Sequence, residues 1–110
     1  MGYSSEILRG NTETIVLSCL MKADSYGYEI MKSIIGRGEG LFSIKDATIY
    51  TAFKRMEKDD LITTYWGDAD GGARRKYYSI TEKGREVYLR KVEEWKQISA
   101  VMNKLIGGDK

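Results

Sequence analysis

Between Lys45 and Gly84 a short basic helical segment, KDATIYTAFKRMEK, is followed by two aromatic strands joined by a glycine-containing basic turn, and behind them runs a long segment with one apolar stripe. These observations predict a mainly α fold with a small β-hairpin: a winged helix-turn-helix domain plus one long C-terminal dimerisation helix. The domain is expected over residues 1–80, its N-terminal helix also contributing to dimerisation. Residues 81–110 form the dimerisation helix of the same structural unit. In this order of elements a basic helix enters a DNA groove while a basic hairpin clasps the flanking backbone.

The first helix is predicted from Glu6 to Lys22, where Ile7, Leu8, Ile15, Val16, Cys19 and Leu20 recur at helical spacing. Gly10 and Asn11 weaken its first turns. A second helix is expected from Ser25, as N-cap, to about Gly36, burying Ile30, Met31 and Ile34. The glycines of GRGEG break it, and Leu41–Ile44 is read as a short extended piece that pairs with the later hairpin. A third helix from about Asp46 to Lys58 has Ile49, Phe53 and Met56, with Tyr50, at the spacing of one buried face, leaving Thr48, Thr51, Lys54 and Arg55 directed elsewhere. From Leu61 the period changes to two, with Ile62, Thr64 and Trp66 on one face and Thr63 and Tyr65 on the other. Gly67–Ala73 then form the hairpin tip, and Arg74–Ile80 return with Lys76, Tyr78 and Ile80 sharing a face. Thr81 caps the last helix, Glu82 to about Ile106, whose stripe is Tyr88, Val92, Trp95, Ile98, Met102 and Leu105. A helix of that length spans about 37 Å and projects beyond a small domain. Its stripe therefore calls for a partner, and a second copy of the chain supplies one by using a self-complementary patch twice, which also suits a palindromic operator.

With 110 residues, 42% hydrophobic and 31% charged, the chain falls in the globular range, away from disordered and membrane classes. No apolar run reaches the roughly 18 residues of a membrane span. The N-terminal MGYSSEILRGNTET lacks the pattern of a secretory signal, so a cytoplasmic location is expected. The single cysteine, Cys19, excludes an internal disulfide, argues against a metal cluster and is read as a core residue. The absence of histidine removes the commonest general base and metal ligand, and GRGEG does not lead from a strand into a helix with dinucleotide spacing. Catalysis, a cofactor and a bound metal are accordingly not expected. A net charge of +2 says little by itself, but Arg74, Arg75 and Lys76 are consecutive, and Lys54 and Arg55 lie on the helix before them. Tyr65, Trp66, Tyr77 and Tyr78 would serve as a base-stacking platform, although strands favour aromatics in any case.

Three segments, YGYEI at Tyr26–Ile30, ATIYTAFKRMEKDDLI at Ala47–Ile62 and GGARRKYYSITEKG at Gly71–Gly84, resemble the PadR family of bacterial transcriptional regulators, and together they cover nearly the whole chain. The short C-terminal region, one helix with a central tryptophan, is similar to a compact subfamily of multidrug-binding homodimeric repressors. The resemblance implies double-stranded DNA as the partner, with Thr48, Tyr50, Thr51, Lys54 and Arg55 at the major groove. Gly72, Ala73, Arg74, Arg75 and Lys76 then form the wing. The residue types suit this: hydroxyls bond phosphates or base edges, and Arg and Lys neutralise phosphates. Lys45 and Asp46 stand where the family often has serine and proline, and Ala47 where glycine is frequent. Asp46 favours the helix dipole but repels a phosphate there, so operator preference does not carry over. The resemblance also implies that Trp95 faces its counterpart across the dimer centre. A planar aromatic or cationic effector would stack there, among Ile7, Thr14, Val92 and Ser99. The alternative is a Trp95 that fills the interface and binds nothing. A winged-helix protein-interaction module, holding an acidic partner through Arg74–Lys76, is the other functional class left open.

Overall fold

The computed structural model describes residues 6–42, 44–68, 72 and 74–107. Among the described residues, five helices and three strands follow one another: α1 Glu6–Gly10, α2 Thr12–Leu20, β1 Ser25–Tyr26, α3 Gly27–Arg37, α4 Asp46–Lys58, β2 Ile62–Asp68, β3 Arg74–Ile80 and α5 Glu82–Ile106. The fold is mostly helical with a small antiparallel sheet of order β1-β3-β2, the winged-helix arrangement expected, and α5 is the long C-terminal helix.

Several local expectations are corrected. The first helix is two helices, because Asn11 takes a non-helical conformation (φ −108, ψ 15) and diverts local hydrogen bonds. Its backbone N–H reaches only three residues back, to the Leu8 carbonyl at 3.1 Å, and its side-chain amide donates to the Ile7 carbonyl at 2.8 Å. Ser25 is not an N-cap. It pairs with Tyr78 in the sheet, as Tyr26 does with Tyr77, and α3 starts after Tyr26, which is extended and offers no side-chain cap. The strand that joins the hairpin sheet is Ser25–Tyr26; within the expected Leu41–Ile44 piece Phe42 forms an isolated bridge and contributes a buried ring to the core, and Ser43 lies outside the described residues. The hairpin tip is also shorter than expected, since β2 continues through Asp68.

The β2–β3 register sets Ile62 opposite Ile80, Thr64 opposite Tyr78 and Trp66 opposite Lys76. One face of the hairpin covers the core at its base and leaves it towards the tip, where Trp66 and Lys76 are exposed. Beneath that face lie Val16, Leu17 and Leu20 of α2, Ile30 and Ile34 of α3, and Ile49, Ala52, Phe53 and Met56 of α4. Phe53 stacks on Tyr78 with ring centroids 4.1 Å apart. Met31 and Cys19 pack against this core but are only partly buried.

Helix α4 ends where Asp60 adopts a left-handed conformation (φ 62) and the Leu61 N–H closes on the Met56 carbonyl at 2.8 Å. The chain passes through β2 and β3 and returns to the same spot. The Thr81 hydroxyl accepts from the Gly84 N–H at 2.9 Å and donates to the Asp60 carbonyl at 2.7 Å, capping α5 and tying it to the end of α4. Gly84 is the one buried residue of α5, and a Cβ there would run into the Leu61 carbonyl oxygen. Beyond Val87 and Tyr88, which pack on the core, α5 runs outward with Leu89, Trp95, Ile98, Val101, Met102, Leu105 and Ile106 exposed. The molecule measures 60 × 33 × 21 Å, with a radius of gyration of 15.7 Å against about 13 Å for a compact chain of this size. No helix among the described residues is long and apolar enough to cross a membrane.

Candidate nucleic-acid interface and adjoining cleft

Helix α4 turns its polar residues away from the core. Lys54 and Thr51 are exposed, and Thr48 is half-buried. The Thr51 hydroxyl donates to the Ala47 carbonyl one turn back at 2.8 Å and keeps its lone pairs free to accept. Tyr50 sets its ring edge-on against Phe53, centroids 5.4 Å apart, while its hydroxyl lies over Gly27 at the start of α3. A Cβ at position 27 would meet that hydroxyl, so a larger residue there would have to displace the end of the Tyr50 ring. Arg55 is exposed but engaged: its Nε donates to Glu13 Oε2 of α2 at 2.7 Å. Such a pair near the surface contributes at most about 1 kcal/mol. It engages the Nε of the guanidinium.

The wing residues Arg74, Arg75 and Lys76 are all exposed, and each cation lies near a ring. Arg74 lies 5.6 Å from the Trp66 centroid, Arg75 4.3 Å from that of Tyr26, and Lys76 5.9 Å from that of Tyr78. Gly72 has φ +84, a left-handed conformation that suits glycine in the tip. Ala73 lies outside the described residues. Arg75, Lys76, Tyr50 and Tyr78 share a cleft of 370 Å³ with Tyr26, Gly27 and Tyr28. The fold thus brings two wing cations next to the α4 tyrosine. Tyr26 and Tyr28 carried no site role in the sequence reading, because their nearness to the wing depends on β1 pairing with β3. Burial, first of all, pushes the Tyr78 hydroxyl up to about 12, with Tyr50 and Glu57 adding to it. Tyr65, on the opposite face, is also raised, chiefly by the hydrogen bond it donates to Asp24.

A larger cleft of 670 Å³ runs between α1, the start of α2 and α5, lined by Ile7, Thr14, Trp95 and Ser99 among others. A smaller cleft of 240 Å³ shares Ile7, Asn11, Thr14 and Trp95 with it and adds Val92, Leu8 and Ile15. All five residues singled out around the central tryptophan therefore line one continuous region. Glu6, Asn11, Glu94, Ile98, Met102 and Asn103 line it too. The i+3 neighbour of Trp95 on α5 points to Ile98, which like Asn11 was not among the residues singled out. No group of His, Cys, Asp and Glu among the described residues is arranged to hold a metal ion.

Comparison with known proteins places this architecture. Residues 16–90 match the transcriptional regulator PadR-like family. Over 94% of its length the chain is 44% identical to a transcriptional regulator from Clostridium thermocellum, covering 98% of that structure with a TM-score of 0.87. A PadR family transcription regulator from Clostridium difficile shares 39% identity over 88% of this chain and 99% of its own, with a TM-score of 0.78. A PadR-like transcriptional regulator from Bacillus cereus shares 30% identity over 96% and 100% of the two chains, with a TM-score of 0.82. Matched by the family over most of its length and by these structures over nearly all of it, the chain belongs to the PadR-like family of transcriptional regulators, a family of regulators and not of enzymes.

Proposed function

We propose that this regulator is a homodimeric repressor that holds palindromic promoter DNA through α4 and the wing, and that planar aromatic ligands stacking on Trp95 relieve it. Residues 1–80 carry the DNA contact and residues 81–110 the dimer contact. Supporting the DNA contact is the convergence of Tyr50 from α4 with Arg75 and Lys76 from β3 in one cleft, beside exposed Thr51 and Lys54. Hydroxyls and cations on adjoining elements suit a phosphate backbone and the base edges between its strands. The dimer reading is supported by the exposed apolar stripe of α5, which a second copy covers most economically. Support for the ligand reading comes from a cleft that places Trp95 and Ile7 among the polar Thr14, Ser99 and Asn11. Repression is relieved only if ligand-bound dimers prefer a recognition-helix spacing that fits the operator poorly, since equal affinity for both states shifts nothing.

The test pairs two readouts. Binding of the purified protein to the duplex upstream of its own gene is compared with binding to a scrambled duplex at moderate salt. Fluorescence is followed during addition of a planar cationic dye, in a Trp66→Phe background so that Trp95 is the only indole. Selective duplex binding with dye-dependent quenching, and loss of DNA as dye is added, is the expected outcome. Selective duplex binding without quenching reduces Trp95 to an interface residue. No preference between the duplexes favours a protein-interaction module.

A further inference from the structure

We propose that Tyr26 is a positioning residue for DNA binding: its ring holds the Arg75 guanidinium over it at the start of α3, so that the wing presents a phosphate-binding fork at a fixed place beside Tyr28, Tyr50 and Lys76. The proposal rests on the reading of the wing as a DNA contact and adds what orients it. Among the four cation–ring contacts, that of Arg75 with Tyr26 is the shortest, 4.3 Å against 5.6 to 5.9 Å for the others. No carboxylate among the described residues pairs with Arg75. A guanidinium stacked on an aromatic face loses none of its N–H edge, and that edge matches two phosphate oxygens.

The ring that holds Arg75 is itself held. Tyr26 pairs with Tyr77 in the β1–β3 ladder and meets its ring edge-on at 5.5 Å. Tyr77 stacks nearly parallel on Tyr65, also at 5.5 Å. The Tyr65 hydroxyl donates to Asp24 Oδ2 at 2.7 Å, and Asp24 stands two residues before Tyr26. The three rings and the carboxylate close a loop on the face of the sheet that looks away from the core. Because β3 alternates, Arg75 and Tyr77 emerge on that same face, and Arg75 lies opposite Gly67, which has no side chain to compete for its place. This face contributes little to the core, yet it carries an ordered aromatic circuit that ends on an arginine with no carboxylate partner among the described residues.

Affinity for a mixed-sequence duplex, measured as a function of salt, tests this through a double-mutant cycle. Tyr26→Leu is expected to weaken binding roughly three- to tenfold and to lower the slope of log K against log salt by about one. Tyr26→Phe, which keeps the ring, stays within about twofold of the parent. In an Arg75→Ala background Tyr26→Leu and Tyr26→Phe bind alike. Equal losses for Tyr26→Leu with and without Arg75, or a Tyr26→Phe as weak as Tyr26→Leu, would overturn the positioning role. If Arg75→Ala leaves both affinity and slope unchanged, the wing contact itself fails, and the proposal with it. Proton NMR of the unsubstituted protein adds an arm that needs no variant: stacking moves the Arg75 Hδ protons upfield by ring current, and ordinary shifts would sink the proposal.

Discussion

On α4, Ile49, Ala52, Phe53 and Met56 are no more than 2% exposed, whereas on α5 Trp95, Ile98, Met102 and Leu105, repeating at similar spacing, are 42 to 73% exposed. Both helices announce an apolar face by the same periodicity. What separates them is reach. Helix α4, about 20 Å long, fits within the domain and meets α2 and the hairpin along its length, while α5, about 37 Å long, leaves the core after Val87 and Tyr88 and then runs beside α1 and the start of α2 across an open cleft. Periodicity thus reports that a face is to be covered, and geometry decides whether the same chain supplies the cover.

Breaking the α4 side of this comparison gives the largest effect. Phe53→Ala removes a ring packed between Tyr50 and Tyr78 and is expected to cost about 3–5 kcal/mol, a large part of the stability of a small domain. Urea denaturation followed by far-UV circular dichroism measures it, and a loss below about 1 kcal/mol would mean that the α4 face is not the centre of the core. On α5 the same kind of change speaks through association. Ile98→Glu places a charge in the stripe and is expected to weaken the dimer by on the order of 3 kcal/mol, roughly a hundredfold, read by sedimentation equilibrium. A parent protein that already sediments as a single chain refutes the dimer reading.

The link between the two helices can be probed at Thr81, whose hydroxyl joins the α5 N-terminus to the Asp60 carbonyl after α4. Thr81→Ala should cost about 1 kcal/mol in the same denaturation assay, and no loss would show that the cap is not what anchors α5. The smallest effect is confined to alkaline pH. Unfolded tyrosine ionises near 10 and folded Tyr78 at about 12, so above pH 10 the unfolded state holds fewer protons and stability falls until about pH 12. Comparing melting temperatures at pH 9 and pH 11.5, the drop should be shallower in Tyr78→Phe. An unchanged drop would assign the alkaline loss to other groups.

Much of the fold was legible because it is locally encoded. The bounds of α4 and α5, the Thr81 cap and the two faces of the hairpin all follow from spacing within a few residues. What was not legible depends on partners far along the chain. Ser25 reads as a helix cap until Tyr78 claims it for the sheet, and Arg55 reads as a free cation until Glu13, 42 residues away, takes its Nε. The break at Asn11 is the local exception: the sequence flagged a weak spot, but a side-chain amide that bonds one turn back was enough to divide the helix. At the site, residue types were readable and adjacency was not. Nothing near Tyr26 in sequence indicates that a wing arginine will rest on it.

The anchoring of α5 has a mechanical consequence. Clamped at Thr81 and Gly84 and free of the core beyond Tyr88, the helix is a lever with its fulcrum at one end. With 1.5 Å of rise per residue, a tilt of about 5° at Gly84 sweeps Ile106 through about 3 Å. The close seat of Gly84 on the Leu61 carbonyl transmits the reverse motion as well: a push at the far end arrives at the turn that follows α4 with little slack.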